Sequence, residues 1–403
     1  MLEKIKSSKI LRALAISAMA LTFSLPASAM TRDEFIPKVT DALGYALPVE
    51  SFSGYEGNIT KEQALRLMLE GMGWGHAIGF MEDLYIIPDF CERELFPEML
   101  RAIKPAIPDA LLSHLSEDFT PEDLTPIRAW VKEAQKDISW RASYTSENTE
   151  LTLIKKGIGN PAGSANGDLE NGKNEPLYIA ALSVDMKKVN TQIASAVMIG
   201  APKATLSRIA GENYGVIGGI NGGYFANTKP IGVLRRQGHI ENGKFWPNRS
   251  AFGWDKDGET VFIDGKDVAN IAGSKLLDSY TEMLQAGPLL VKNGEIVENT
   301  EDIDKKVLEK RHPRTLVGQS GQKIVWAVVD GRNNMHSVGT TIEETRKLCL
   351  ALGLTHALNL DGGGSSSLLW QEVTLTLPGT KTEAERPIPY AILFFRPGAG
   401  VRN

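Results

Sequence analysis

"HALNLDGGGSSSLLW", residues 356–370, passes from one apolar run through an aspartate, three glycines and three serines into a second. Short apolar runs punctuated by Gly and Ser read as strand, turn, strand. The same grammar surrounds it in "LYIAALSVDM" (177–186), "YGVIGGINGGYF" (214–225), "AFGWDKDGETVFID" (251–264), "GPLLVKNGEIV" (287–297) and "KIVWAVVD" (323–330). The clearest helix among them is "TIEETRKLCLALG", with Thr341 and Glu344 as a capping box and Gly353 as the stop. These signals predict a strand-dominated α+β domain with a mixed sheet over residues 146–403.

Upstream the pattern is helical, from Met30 to about Trp140. "TRDEF" at Thr31, "TKEQA" at Thr60 and "TPEDL" at Thr120 each set an acid or amide three residues after a threonine. That spacing lets the hydroxyl take a first-turn amide while the later side chain reaches back. Behind Thr60, Leu65, Met68, Leu69 and Met72 share one face; behind Thr31, Phe35, Val39 and Leu43 do the same. Gly44 and Gly73 each stand 13 positions after their threonine, as C′ residues would. A separate small all-α domain over 30–145 is expected. Its Thr-initiated helices resemble S-layer homology repeats, which implies attachment to secondary cell-wall polysaccharide.

Residues 1–29 read as an export signal: four basic residues up to Arg12, the apolar run Ala13 to Leu25, then Ala27-Ser28-Ala29. Cleavage after Ala29 would leave no transmembrane segment and an exported protein, in the periplasm, at the cell surface or secreted. The 403 residues carry a net charge of −5, which gives no ground for a nucleic-acid partner. Cys91 and Cys349 give no firm basis for a disulfide, and Cys349 reads as a small buried residue in an apolar helix. Six scattered histidines give no zinc spacing. No cofactor is expected; a divalent cation between two aspartates lacks support from ligand spacing.

Four motifs carry chemistry. "GGINGGYFAN" sets Asn221 before Gly222, Gly223, Tyr224 and Phe225, a polar amide beside backbone that a ligand can approach. "RHPRTLVG" offers His312, Arg314 and Thr315, with a guanidinium fork suited to phosphate or carboxylate. "WAVVDGRNNMHSVGTT" ends a strand in Asp330 and turns at Arg332. The opening stretch delivers Asn359 and Asp361 to Gly362, Gly363 and Gly364, a turn between strands whose amides, with Ser365, can form an anion nest. No Gly-Lys-Ser/Thr follows, which excludes a nucleotide P-loop, and the spacing fails the dinucleotide fingerprint.

In that order, and with "AGPLLVKNG" between the first two, these motifs resemble the phosphodiester glycosidase family from about Leu177 to Phe395. The resemblance implies hydrolysis of the bond between an anomeric carbon and a phosphodiester oxygen, with a glycan or sugar phosphate as substrate. It implies that Arg314 and Arg332 hold the phosphate, with the amides of Gly362 to Gly364 and Ser365. Asp361 or Asp330 would supply a carboxylate to the sugar. Asn221, Asn359 and His312 would position hydroxyls or water, and Tyr224 or Phe225 would flank the ring. Attack at phosphorus, and a non-catalytic wall-binding protein, are the competing expectations.

Overall fold

The computed structural model describes residues 29–43, 57–85, 90, 93–160, 174–271, 278–298, 301, 303–380 and 384–401. The export signal, Ala29 apart, together with Gly44 and Cys91, lies outside them, as do the side chains of Val39 and Leu43.

The helical region comprises α1 (Arg32–Leu43), α2 (Lys61–Leu69), α3 (Gly75–Leu84), α4 (Leu95–Ala102) and α5 (Leu124–Ala134). All three upstream capping pairs form. Thr60 N donates to Gln63 Oε1 at 2.9 Å while Gln63 N donates to Thr60 Oγ1 at 3.3 Å. Thr31 pairs likewise with Glu34, and Thr120 with Asp123. Leu65, Met68, Leu69 and Met72 are fully buried, as their spacing requires. Gly73 takes a left-handed φ of +82 within a π-helical turn, Glu70–Trp74, and the chain re-enters helix at Gly75.

Among the described residues four sheets follow, the smallest a ribbon of Phe225–Ala226 and Lys229–Pro230, and every strand pairing is antiparallel. An eight-stranded sheet opens with the hairpin Ser139–Ser146 and Thr149–Lys156. Glu147 and Asn148, at φ +50 and +62, make its two-residue turn. Only the second strand has an obvious apolar run in the sequence. The first hides because Glu-Asn is not a standard hairpin signal, yet its Trp140 and Tyr144 are buried.

Five strands position the site. These are β1 (Val216–Asn221), β2 (Arg314–Ser320), β3 (Lys323–Val329), β4 (His356–Asn359) and β5 (Tyr390–Phe395). In the large sheet β2 lies between β3 and β4; in a five-stranded sheet β1 lies between β5 and Leu368–Trp370. A second five-stranded sheet includes Ala251–Trp254 and Glu282–Gln285.

One apolar cluster runs from Leu65, Trp74 and Phe80 of the helices to Tyr178, Trp326 and Trp370 of the sheets. Phe80 meets Tyr178 with ring centroids 5.2 Å apart, and Phe90 meets Tyr144 at 5.4 Å. The helical region and the strand-rich region therefore share a core. Cys349 is buried in α6 (Ile342–Ala351), where burial pushes its thiol up to about 12.

Candidate active site

The two sheets meet at Asn221, the last residue of β1. Its Nδ2 donates to Asp361 O at 2.7 Å and to Gly222 O at 3.1 Å. Its Oδ1 accepts from Thr315 Oγ1 at 2.9 Å and from Ser367 N at 3.1 Å. A fully buried amide with both ends engaged fixes the backbone at Asp361 and has no donor left for a ligand. Thr315, from β2, also lies 3.1 Å from Ser366 Oγ. Gly222 and Gly223 press against the Tyr390 ring, and Gly223 N donates to the Tyr390 hydroxyl at 2.9 Å.

Asp361 follows β4 at the head of the triple glycine. Burial pushes its carboxyl up to about 6, although the Ser365 hydroxyl, the nearby Arg386 charge and the Gly362 amide all favour the anion. The glycine turn is tight: Gly363 N donates to Pro313 O at 2.9 Å, and Ser365 N to Gly362 O at 3.2 Å. Gly363 has φ +61, and a Cβ there would sit 3.1 Å from Arg332 Nη2. A Cβ on Gly364 would meet Arg386 Cδ at 3.5 Å. The turn is thus flat enough for two guanidinium-bearing side chains to lie on it. Most of the expected amide nest is spent internally, on Asp361 and Pro313 O among others.

Arg332 and Arg386 are exposed. Arg332 Nη1 donates to Gly379 O at 2.8 Å and Nη2 to His312 Nδ1 at 3.2 Å. Arg386 Nη1 donates to Ser365 Oγ at 3.2 Å, and its guanidinium lies 5.0 Å from the centre of the Phe225 ring. Partial burial and the charge of Arg386 hold the Arg332 guanidinium below its ordinary range. His312 is depressed to about 4, by burial first and then by Arg314 and Arg332. The imidazole is therefore neutral near pH 7, and its Nδ1 can accept from Arg332.

Arg314 stands differently from the sequence expectation. Its side chain is buried, with Nε donating to Thr340 O at 2.8 Å and Nη2 to Val307 O and Lys310 O at 2.7 and 2.9 Å. Burial pulls it down to about 10. Most of its fork is committed to three backbone carbonyls, so it braces the segment before β2. Asn359 Nδ2 donates to Gly287 O and to Tyr224 Oη, both at 3.0 Å, and the Tyr224 hydroxyl donates to Gly287 O at 2.7 Å. Tyr224 also meets the Trp246 ring edge-on, with centroids 6.1 Å apart.

Asp330 has partners of its own. Its carboxylate is fully buried, accepting from Leu377 N at 2.9 Å and lying 3.0 Å from His336 Nε2. Burial raises it well above the usual carboxylate range, and its charge neighbour is Lys155, itself pushed down to about 7 by burial. The two aspartates share no ionic partner, since Asp361 faces Arg386. Arg386 is the site residue that sequence reading missed. It precedes a proline, 21 positions after Ser365, and nothing in its spacing distinguishes it from a surface arginine. A cleft of about 520 Å³ runs past Glu175, Arg311, Thr340 and Lys347; its lining includes neither Asp361 nor Arg332. Among the described residues no three His, Cys, Asp or Glu side chains gather as a metal set.

Asp361, Arg332, Arg386 and the Asn221 stitch all fall within one stretch that has known relatives. Residues 214–395 match the phosphodiester glycosidase family. No curated protein matches the chain. Among solved structures, it is similar to the zebrafish N-acetylglucosamine-1-phosphodiester alpha-N-acetylglucosaminidase catalytic domain auto-inhibited by its pro-peptide. Identity is 17%, the match covers 65% of this chain and 88% of that one, and the TM-score is 0.48. A hypothetical protein from Synechocystis aligns at 14% identity over 64% and 78% of the two chains, with a TM-score of 0.46. A putative exported protein from Burkholderia pseudomallei aligns at 13% identity over 64% and 96%, with a TM-score of 0.49. The phosphodiester glycosidase match begins after the helical region and the first hairpin, so Lys155 and the π-turn lie outside it.

Proposed function

We propose that this chain is an exported hydrolase that cleaves the glycosidic bond of a sugar-1-phosphodiester in a phosphate-linked glycan or cell-envelope polysaccharide. One observation carries the reading: a half-buried carboxyl, Asp361, heads the glycine turn on which two exposed guanidinium groups lie. Arg332 and Arg386, with the Ser365 hydroxyl, hold the phosphate by charge-assisted bonds. Arg314 contributes charge from behind while it braces the strand.

A phosphate monoester leaves readily, so strong general-acid help is dispensable. The site must instead stabilise an oxocarbenium-like sugar on one side and the departing phosphate on the other. Asp361, ionised above about pH 6, supplies the carboxylate at the sugar. Tyr224 and Phe225 flank the ring. Asn221 acts through the backbone of Asp361, and Asp330 through the segment at Leu377, rather than at the sugar.

Hydrolysis in ¹⁸O-water tests this. Label in the free sugar is expected; label in the phosphate product means attack at phosphorus and overturns the reading. Attachment to wall polysaccharide through the helical region belongs to the same proposal and rests on its Thr-initiated helices. Retention of the full chain on purified wall polymer is its measurement.

A further inference from the structure

The loop that follows Arg332 is held from behind by the N-terminal helices. A Cβ built on Gly73, in the π-turn, would lie 2.0 Å from Met335 O, and its φ of +82 disfavours any side chain. Gly159 faces the same residue, and a Cβ there would lie 2.7 Å from Met335 Cα. Backbone bonds tie these pieces together: Gly159 N donates to Met72 O at 2.8 Å, and Asn160 N to Asn334 O at 2.9 Å. Lys155 Nζ donates to His336 O at 2.6 Å, and Trp74 Nε1 to Gly157 O at 2.9 Å. The loop also closes on itself, with Asn333 Oδ1 accepting from Met335 N and His336 N. Arg332, at its head, sits at φ +63. Where its guanidinium reaches therefore depends on where the loop is seated.

We propose that Gly73 of the π-turn and Gly159 form the back support that seats this loop, making the helical region a positioning element of the phosphate site. The inference rests on the reading of Arg332 as a phosphate ligand. A side chain at either glycine drives Met335 forward and shifts Arg332 from Gly379 O and His312. The phosphate is held in the ground state and gains charge as it departs, so a weaker grip raises KM and lowers kcat.

The test uses the full chain with Gly73→Ala, Gly159→Ala and the control Gly79→Ala, where an added Cβ meets nothing within 4 Å. Amide hydrogen exchange across 331–338 is expected to quicken about tenfold in the first two and not in the control. KM for a glycosyl phosphodiester is expected to rise roughly fivefold, and kcat to fall with it, in the first two and not in the control. If Gly73→Ala fails to fold, Gly159→Ala carries the test, because its backbone is not left-handed. Unchanged exchange in a folded variant overturns the support itself. Faster exchange with unchanged KM overturns its role in seating Arg332. Because the exchange measurement needs no substrate, these failures are distinct from failure of the glycosidase reading, in which the parent protein cleaves no phosphodiester.

Discussion

With its carboxyl pushed up to about 6 by burial, Asp361 costs stability in order to be an anion where it stands. The unfolded chain releases this proton near pH 4, whereas the folded chain holds it to about 6. Stability therefore falls as pH rises through that window, and the loss is complete above it. A shift of this size corresponds to roughly 2–3 kcal/mol. Asp361→Asn is expected to unfold at higher denaturant than the parent at pH 7.5, with the gap closing below about pH 4. Its kcat should fall roughly a hundredfold or more, and the parent's kcat/KM should decline on the acid side near pH 6. A fully active Asp361→Asn would remove this carboxylate from the chemistry. The arginines separate by the same logic. Arg386→Gln should raise KM about tenfold and move the melting temperature little, because the side chain is exposed and water can replace its hydrogen bond to Ser365. Arg314→Gln should cost about 2 kcal/mol, because two of its nitrogens hold three backbone carbonyls. Paired kinetics and thermal melts distinguish the two.

At the scale of elements, the triple glycine is a platform more than a nest. Gly363→Ala places a side chain at φ +61, which costs about 1–2 kcal/mol, and lifts Arg332 from the turn. A lower melting temperature together with a higher KM is expected; a lower melting temperature with KM unchanged would mean that Arg332 does not need the turn. What could be read beforehand follows the range of the forces involved. Capping at Thr31, Thr60, Thr120 and Thr341 was legible because hydroxyl, amide and carboxylate lie within four residues of one another. The apolar face of α2 was legible from its period. Asp361 at a turn between strands was legible from punctuation. The fork of Arg314 was not, because which carbonyls it would meet depends on Val307 and Thr340 arriving from either side. Arg386 was not, because only the fold carries it to Ser365. The strand Ser139–Ser146 hid because its turn is Glu147-Asn148 and its inward residues, Trp140 and Tyr144, stand four apart, a spacing that also suits a helix.

At the scale of the molecule, the shared core bears on whether the helical region can be removed. An attachment module joined by a linker would leave the strand-rich part folded when cut away. Here Phe80 covers Tyr178, and Phe90 covers both Tyr144 and Trp370, with the latter centroid at 5.9 Å. Uncovering three such rings costs roughly 2 kcal/mol each. That is a large share of the 5–15 kcal/mol that holds a typical domain folded. The buried pair Lys155 and Asp330 would also meet water, since Trp74 lies over the Lys155 ammonium at 5.8 Å. A chain starting at residue 135 is therefore expected to lose near-UV circular dichroism, to bind a hydrophobic dye and to show no phosphodiester cleavage. Its far-UV strand signal should largely persist, because the sheet ladders are local to residues 139–395. A cooperative melt at the parent's temperature would show instead that the helices are an appendage. Between those outcomes, the first makes the helices and the strand-rich region one folded unit, so a polymer taken up under the proposed wall attachment would be held against the same body that carries Asp361.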